Sequence, residues 1–261
     1  GGLHPVVALY ATFLNRAFDQ VLMDVALHGQ GVTFVLDRAG ITGPDGASHH
    51  GMWDTSLMAL VPGAHVAAPR DERRLVDALR TAVGVDDAPT VVRYSKDPLP
   101  PELPAIRSHG GVDVLASPAD ARVLLVAHGP FAHLAVEAAD RMGAQGIPCA
   151  VVDPVWALPV NPALVELCGA AELVVTLEDG GVSGGLGAAL ALACQRAGVW
   201  TPLRHLAIPQ EFLDHASRAE ILGELGLTAD DVARAIVDWA LESTAAKVAR
   251  TAVAEGPRAG A

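Results

Sequence analysis

A group of ionisable side chains follows the apolar run GVTFVLD, in the stretch DRAGITGPDGASHHG at residues 37–51. A turn needs Gly, Pro, Asn or Asp for its backbone angles, but it has no use for Arg38, His49 and His50. Guanidinium, carboxylate and imidazole groups are the types that bind anions and move protons. That surplus indicates a functional site, and we interpret His50 as the solvated member of the histidine pair.

A second set of candidates lies in YATFLNRAFDQ, which follows the strand-like run VVALY. Helical spacing places Phe13 and Arg16 on neighbouring turns near the start of a helix. Their side chains can therefore project toward the crevice at the end of the strand. In α/β sheets that crevice is where ligands bind.

The elements that must position these residues alternate along the chain. Short apolar or β-branched runs are separated by helical patterns, first from HPVVALY to PTVVRYS and again from RVLLVAHG to LRHLAIP. Such alternation predicts an α/β fold with two parallel-sheet domains. A stretch rich in Pro and Gly divides them. We predict a first domain over 1–104, a linker over 105–120, a second domain over 121–241 and a frayed or disordered tail over 242–261.

Composition narrows the classes of function. The chain has 261 residues, a formal net charge of -12 and 51% hydrophobic residues. The acidic balance argues against a nucleic-acid partner. The three cysteines, Cys149, Cys168 and Cys194, lie in apolar stretches, which predicts core residues in a reducing compartment. No signal peptide or membrane-spanning run is evident, so we expect a cytoplasmic protein.

The glycine-rich run LEDGGVSGGLGAAL resembles a dinucleotide-binding turn only weakly. Gly181, Gly184 and Gly187 follow a GxxGxxG spacing in place of GxGxxG, and the run lies late in its domain. We predict a tight turn with close packing of helix on sheet, and no cofactor there.

Seven blocks in order carry a family resemblance: YATFLNRAFDQ, DRAGITGPDGASHHGMWD, VAAPRD, VVDPVWALPV, VTLEDGGVSGGLG, IPQEF and HASRAEILGELGLT. Together they resemble 1-deoxy-D-xylulose-5-phosphate synthase, of the transketolase-like, thiamine-diphosphate-dependent group. The resemblance implies a pyrimidine-binding domain followed by a transketolase C-terminal domain. It implies a transferase that joins pyruvate to D-glyceraldehyde 3-phosphate with loss of CO2, supplying the non-mevalonate isoprenoid route and thiamine and pyridoxal synthesis.

Carried over by motif, the resemblance implies cofactor and substrate contacts. Phe13 would stack on the aminopyrimidine ring and Arg16 would line the same site. Tyr10, Arg38 and Lys96 would face the phosphate of the aldehyde substrate. The chain reads RYSKDP where the family has RYPRG or FPKG, and this difference affects the loop that presents Lys96. Arg93, in the same segment, is expected to hold the fold at a strand end.

The catalytic residues implied by the resemblance are His49 and Asp45. The oxygen of the aldehyde needs a proton donor, and a histidine of near-neutral pKa suits that task. Asp45 would hydrogen-bond the product or orient His49. The scattered remaining histidines carry no metal-ligand spacing such as HExxH.

The resemblance also implies that half of the cofactor site lies elsewhere. In the family a separate N-terminal domain holds Mg²⁺ and the diphosphate, and a glutamate that contacts the pyrimidine lies ahead of the first strand seen here. We therefore expect a fragment, a split subunit or a degenerate remnant, inactive alone, that works as a homodimer or with a partner chain. Two alternatives stay open: a non-catalytic dimerisation or regulatory module, and another thiamine-dependent ketol transferase.

Overall fold

The computed structural model describes the backbone of residues 2–254 and the side chains of residues 2–243. Its strands are β1 (Val6–Tyr10), β2 (Val32–Asp37), β3 (His65–Ala67), β4 (Pro89–Arg93), β5 (Arg107–His109), β6 (Val112–Ala116), β7 (Val123–His128), β8 (Cys149–Asp153), β9 (Trp156–Leu158), β10 (Leu173–Gly181) and β11 (Leu203–Ile208). Its α-helices are α1 (Leu14–Gln20), α2 (Asp54–Met58), α3 (Glu72–Ala82), α4 (Phe131–Ala144), α5 (Pro162–Ala170), α6 (Leu186–Arg196), α7 (Arg218–Glu224) and α8 (Ala229–Ala254).

Two largely parallel sheets organise these elements, which confirms the predicted fold class. The first sheet has the order β1-β2-β4-β3-β9 and the second has the order β11-β10-β7-β8-β6-β5. In the first sheet β1 to β4 run parallel, and β9 pairs antiparallel with β3. In the second sheet β5 and β6 form the antiparallel edge. Helices cover these sheets because their strands carry apolar residues on both faces.

Strand β7 contributes side chains to two hydrophobic clusters, one on each face of the second sheet. Val123, Leu125 and Ala127 belong to the buried cluster under α4 and α8, whereas Leu124 and Val126 belong to the cluster under α5 and α6. Successive side chains of a strand point to opposite faces, so a continuous apolar run fills both layers. The run RVLLVAHG is therefore a central strand, as its composition predicts.

The predicted boundary between the domains differs from the structure in two respects. The predicted linker 105–120 contains β5 and β6, which extend the second sheet. Strand β9 comes from the second half of the chain but completes the first sheet, with Ala67 opposite Trp156. Strands β5 and β9 have three residues each, too few to show a periodicity, and the five-residue β6 lies in a stretch whose Pro and Gly content favoured a boundary.

The C-terminal segment also differs from the expected tail. Helix α8 continues to Ala254, past the boundary that we placed at residue 241. Residues 255–261 of the predicted tail lie outside the described residues.

The predicted core location of the three cysteines is confirmed by their burial. Cys149, Cys168 and Cys194 are free thiols inside the second domain. Burial raises the pKa of the Cys149 thiol to about 12, which keeps it protonated and unreactive near neutral pH.

The glycine-rich segment forms the predicted tight turn between β10 and α6. The buried carboxylate of Glu178 accepts hydrogen bonds from the backbone N–H groups of Leu186 (2.8 Å) and Gly187 (2.9 Å) at the start of α6. A Cβ atom on Gly187 would lie 2.2 Å from Nδ1 of His205. The chain's own carboxylate thus fills the place that an anion would take at this helix N-terminus.

Candidate functional site

The carboxyl ends of three neighbouring strands bring the predicted site residues together. Tyr10 at the end of β1 lies opposite Asp37 at the end of β2, and Leu36 lies opposite Arg93 at the end of β4. The N–H of Ala39 donates to the carbonyl of Tyr94 at 2.8 Å, which joins the segments that leave β2 and β4. Side chains that follow these strands therefore meet at one edge of the sheet.

A hydrogen-bonded triad occupies this edge. The Tyr10 hydroxyl donates to Oδ2 of Asp45 at 2.7 Å, and the Lys96 ammonium lies 3.1 Å from both oxygens of the same carboxylate. These two donors, Tyr10 first, lower the pKa of Asp45. Burial, with Asp45 as the next cause, raises the pKa of Tyr10 to about 12. At neutral pH Tyr10 is therefore a phenol and Asp45 a carboxylate.

Three rings surround the triad. The ring centroid of Tyr10 lies 5.5 Å from that of Phe13 and 5.6 Å from that of His49, and the rings of Phe13 and His49 are 6.1 Å apart. Such spacings are typical of edge-to-face aromatic contacts. Phe13 is nevertheless 47% exposed. Phe13 and His49 therefore belong to one region, and the Phe13 side chain is partly accessible to solvent.

His49 lies within hydrogen-bonding reach of its neighbour on the loop. Its Nδ1 atom lies 2.8 Å from the Ser48 hydroxyl, and the side chain is half-buried. Asp45 makes its contacts to Tyr10 and Lys96, so its role as an orienter of His49 stays a prediction.

Arg38 reaches the same edge from the end of β2. Its Cζ atom lies 4.8 Å from the centroid of the Tyr10 ring, a cation–π arrangement, and its guanidinium also contacts the carboxylate of Asp37. Its backbone has φ of 59°, an uncommon conformation for a residue other than glycine. Non-glycine residues with positive φ cluster at functional sites, where the surrounding structure holds them in place. The conformation of Arg38 therefore supports a functional site at this edge.

Arg16 is the predicted member that stands apart. It lies on α1, three residues after Phe13, and is exposed. Among the side chains of residues 2–243 it makes no hydrogen bond or ion pair with the triad. Its role toward a cofactor stays a prediction.

The interpretation of His50 as a solvated loop residue is wrong. Its side chain is fully buried, and its Nδ1 atom accepts a hydrogen bond from the N–H of Thr42 at 3.1 Å. Its Nε2 atom lies 3.4 Å from the carbonyl of Asp214. His50 therefore links the site loop to the second domain. The sequence alone does not distinguish a buried loop histidine from an exposed one.

A buried polar network lies next to the site loop. Arg93 donates to Oδ2 of Asp54 at 2.7 Å and to the carbonyl of Asp179 at 2.8 Å, and both Arg93 and Asp54 are almost fully buried. The expectation that Arg93 holds the fold is confirmed. Asp54 and Asp179 could not be identified from the sequence, because their partners lie on other elements.

Glycine allows the site loop to approach this network closely. Gly40 has φ of 75°, and a Cβ atom there would lie 2.1 Å from the carboxylate of Asp179. Gly43 has φ of 79°, and its Cβ would meet the backbone N of Arg218 at 2.8 Å. Both positions therefore need glycine for conformation and for space.

Family models match most of the chain. Residues 1–101 match the pyrimidine binding domain of transketolase, and residues 112–232 match the C-terminal domain of transketolase. With the two parallel sheets and the site at their strand ends, these matches define a chain of the transketolase type.

Relatives of similar sequence identify the family within the transketolase type. The chain is 61% identical over 262 aligned residues to 1-deoxy-D-xylulose-5-phosphate synthase 1 of Kitasatospora griseola, a match that covers 100% of the chain. It is 60% and 56% identical to the synthases of Mycobacteroides abscessus and Mycobacterium tuberculosis, each over 92% of the chain. The chain belongs to the 1-deoxy-D-xylulose-5-phosphate synthase family. It spans 39% of the length of the Kitasatospora protein and 38% of the other two.

Solved structures agree on the fold. A chain described as "Split gene transketolase, inactive beta4 tetramer" superposes with a TM-score of 0.77 at 29% identity, covering 91% of this chain and 76% of that one. Transketolase from Campylobacter jejuni gives a TM-score of 0.72 at 19% identity, covering 90% of this chain and 35% of that one. The second likeness shows the fold alone.

Within the described part of the chain, none of the helices combines the length and the apolar character needed to cross a membrane.

Proposed function

We propose that this chain forms one side of the active site of a 1-deoxy-D-xylulose-5-phosphate synthase. The reaction joins pyruvate to D-glyceraldehyde 3-phosphate and releases CO2, a step toward isoprenoid precursors and thiamine. The observation that carries the proposal is the meeting of Tyr10, Phe13, Asp45, His49 and Lys96 at one sheet edge. A scaffold has no chemical need for this combination.

The residues fit a ring-containing cofactor. Phe13 is an exposed aromatic side chain beside polar groups, which suits stacking on the aminopyrimidine of thiamine diphosphate, and the exposed Arg16 lies one helical turn away. When bound, thiamine diphosphate supplies the carbanion chemistry that removes CO2 from pyruvate. Among the described residues no group of three or more His, Cys, Asp or Glu side chains could hold a metal. We place the ligands of Mg²⁺ on another part of the enzyme.

The remaining residues serve the aldehyde substrate. We assign His49 as the donor of a proton to the aldehyde oxygen, because an imidazole can supply a proton near neutral pH. Lys96 and Arg38 would bind the phosphate. Since Asp45 neutralises Lys96 in this structure, a phosphate would compete with Asp45 for the ammonium group. Asp45 would then be free to contact the substrate hydroxyl groups or His49.

The enzyme would need more than this chain. The split transketolase chain with a similar fold is described as an inactive tetramer, and this supports the proposal that the present chain alone is inactive and self-associates. Activity would require the diphosphate-binding part, on a partner chain or on a longer homodimeric polypeptide. We place the enzyme in the cytoplasm, where phosphorylated sugars are available.

A chimera tests the proposal. The matching 262-residue segment of the Kitasatospora synthase is replaced by this chain, and formation of 1-deoxy-D-xylulose 5-phosphate is measured with pyruvate and D-glyceraldehyde 3-phosphate. We expect turnover, and we expect His49→Ala to lower it by roughly 10²-fold, the scale for loss of a general acid. His28→Ala, at an exposed position, is the matched control and should leave turnover unchanged.

A folded chimera without turnover would refute the enzyme proposal and favour a dimerisation or regulatory module. Turnover with full activity in the His49 variant would remove His49 from the catalytic residues while keeping the proposed reaction.

A further inference from the structure

Arg218, at the start of α7, joins three segments that are distant in sequence. Its Nε lies 3.0 Å from Oδ2 of Asp97, its Nη1 donates to the carbonyl of Ile41 at 2.8 Å, and its Nη2 lies 2.7 Å from Oδ2 of Asp179. The side chain of Arg218 is 14% exposed and that of Asp179 is 2% exposed. All three guanidinium nitrogens are thus engaged, which a planar fork of donors allows and a lysine does not.

Two of these segments carry the candidate site residues. Ile41 belongs to the loop that presents Asp45 and His49. Asp97 directly follows Lys96, whose ammonium holds Asp45. Asp179 adds a second contact to the loop, because its Oδ1 accepts from the N–H of Ile41 at 3.1 Å.

We infer that Arg218 is a positioning residue through which the second domain sets the distance between the loop of Asp45 and His49 and the segment of Lys96. The inference rests on the proposed function, because the proposed reaction is what requires these residues at a set distance. Arg218 contacts Ile41 and Asp97, which lie on the segments that carry Asp45 and Lys96, so it acts through other residues.

The charges support a positioning role. Asp179 is a buried carboxylate that needs a cation, and Asp97 is half-exposed. Removal of one partner from a buried ion pair leaves an uncompensated charge, so the remaining group rearranges. Loss of Arg218 would therefore release the loop and the Lys96 segment together, whereas loss of Asp97 would release the Lys96 segment alone.

Two measurements distinguish release of the loop from release of the Lys96 segment. Amide hydrogen exchange reports the loop through the N–H of Ile41, which Asp179 binds, and that of Gly51, which donates to the carbonyl of Gly40 at 2.7 Å. Acetylation by acetic anhydride, followed by mass spectrometry, reports the Lys96 segment. Lys96 and Lys247 are the two lysines of the sequence, so each acetylated peptide is assigned without ambiguity.

The test compares three variants of the chain. In Arg218→Met we expect both loop amides to exchange about 10- to 100-fold faster, the range for loss of a hydrogen bond to a charged group, and Lys96 to be acetylated faster. In Asp97→Asn we expect faster acetylation of Lys96 with unchanged exchange in the loop. Arg74→Met is the matched control, because Arg74 also bridges the domains, to Asp113 at 2.6 Å, away from the loop.

Equal effects of Arg218→Met and Arg74→Met on the loop amides would overturn the inference, since the change would then reflect general loosening of the domain contact. If Arg218→Met does not fold, unchanged Lys96 acetylation in Asp97→Asn would overturn it. Neither readout depends on turnover, so an inactive chimera would leave the inference standing, and a failed inference would leave the proposed reaction standing.

Discussion

The phenol of Tyr10 offers a direct test of the triad in solution. A tyrosine in an unfolded chain titrates near pH 10, whereas burial and the Asp45 carboxylate raise the pKa of Tyr10 to about 12. That difference is about 100-fold in the ionisation constant. Because the folded pKa is the higher one, the stability associated with Tyr10 is fully present below pH 10 and is lost as the pH rises from 10 through about 12. Asp45→Ala removes the acceptor and the negative charge but leaves most of the burial, so we expect the midpoint to fall from about 12 toward the value of an unfolded tyrosine without reaching it.

The assay uses the small number of tyrosines. The sequence contains two, Tyr10 and Tyr94, and burial raises the pKa of Tyr94 as well. Tyr94→Phe therefore leaves one phenol to titrate. Absorbance near 295 nm, read by stopped flow within milliseconds of a pH jump, records the ionisation before alkaline unfolding. Ser48→Ala is the control, because Ser48 lies on the same loop and contacts His49.

A midpoint near pH 10 in the parent chain would refute the buried, hydrogen-bonded phenol. A parent midpoint near 12 that stays there in Asp45→Ala would assign the whole effect to burial and remove Asp45 from contact with Tyr10.

Two further predictions concern the framework of the site, and both are measured by urea denaturation. Asp54→Asn should destabilise the chain by about 3–5 kcal/mol because it leaves buried Arg93 without its carboxylate. Glu102→Gln at an exposed ion pair should leave the stability almost unchanged, and equal losses in the two variants would contradict the assigned burial. Gly187→Ala should cost about 1–3 kcal/mol because the new methyl group would lie 2.2 Å from an imidazole nitrogen. Gly143→Ala, with no atom within 4 Å of the new Cβ, should be neutral or stabilising, and the opposite ranking of the two alanine variants would refute the packing argument.

The sequence predicted the site residues that lie near regular elements. VVALY and GVTFVLD are recognisable as strands, and parallel strands bring their carboxyl ends to one edge, so Phe13 and the loop after GVTFVLD could be placed at the same crevice. Tyr10 and Asp45 were named by the family resemblance. The Asp71 cap of α3 was also predictable, and its side chain accepts from the N–H of Arg74 at 2.8 Å. Both arguments depend on local patterns.

Residues that act over long sequence separations could not be predicted. Arg218 contacts Ile41, 177 positions away, and Asp179 contacts the same residue from 138 positions away. Each of these side chains is as polar as any surface residue, and burial of a paired charge leaves no periodic signal. The Ser217–Glu220 capping box does mark the start of α7, but it does not indicate where the next arginine points.

The antiparallel pairing of β9 with β3 has a consequence for how the molecule can be divided. A three-residue strand from the second half of the chain pairs with the edge of the first sheet, so a cut near residue 104 would expose an apolar sheet edge that β9 normally covers. The two domains must therefore be exchanged or redesigned together. Any recombination of this chain with a relative is best joined outside both sheets.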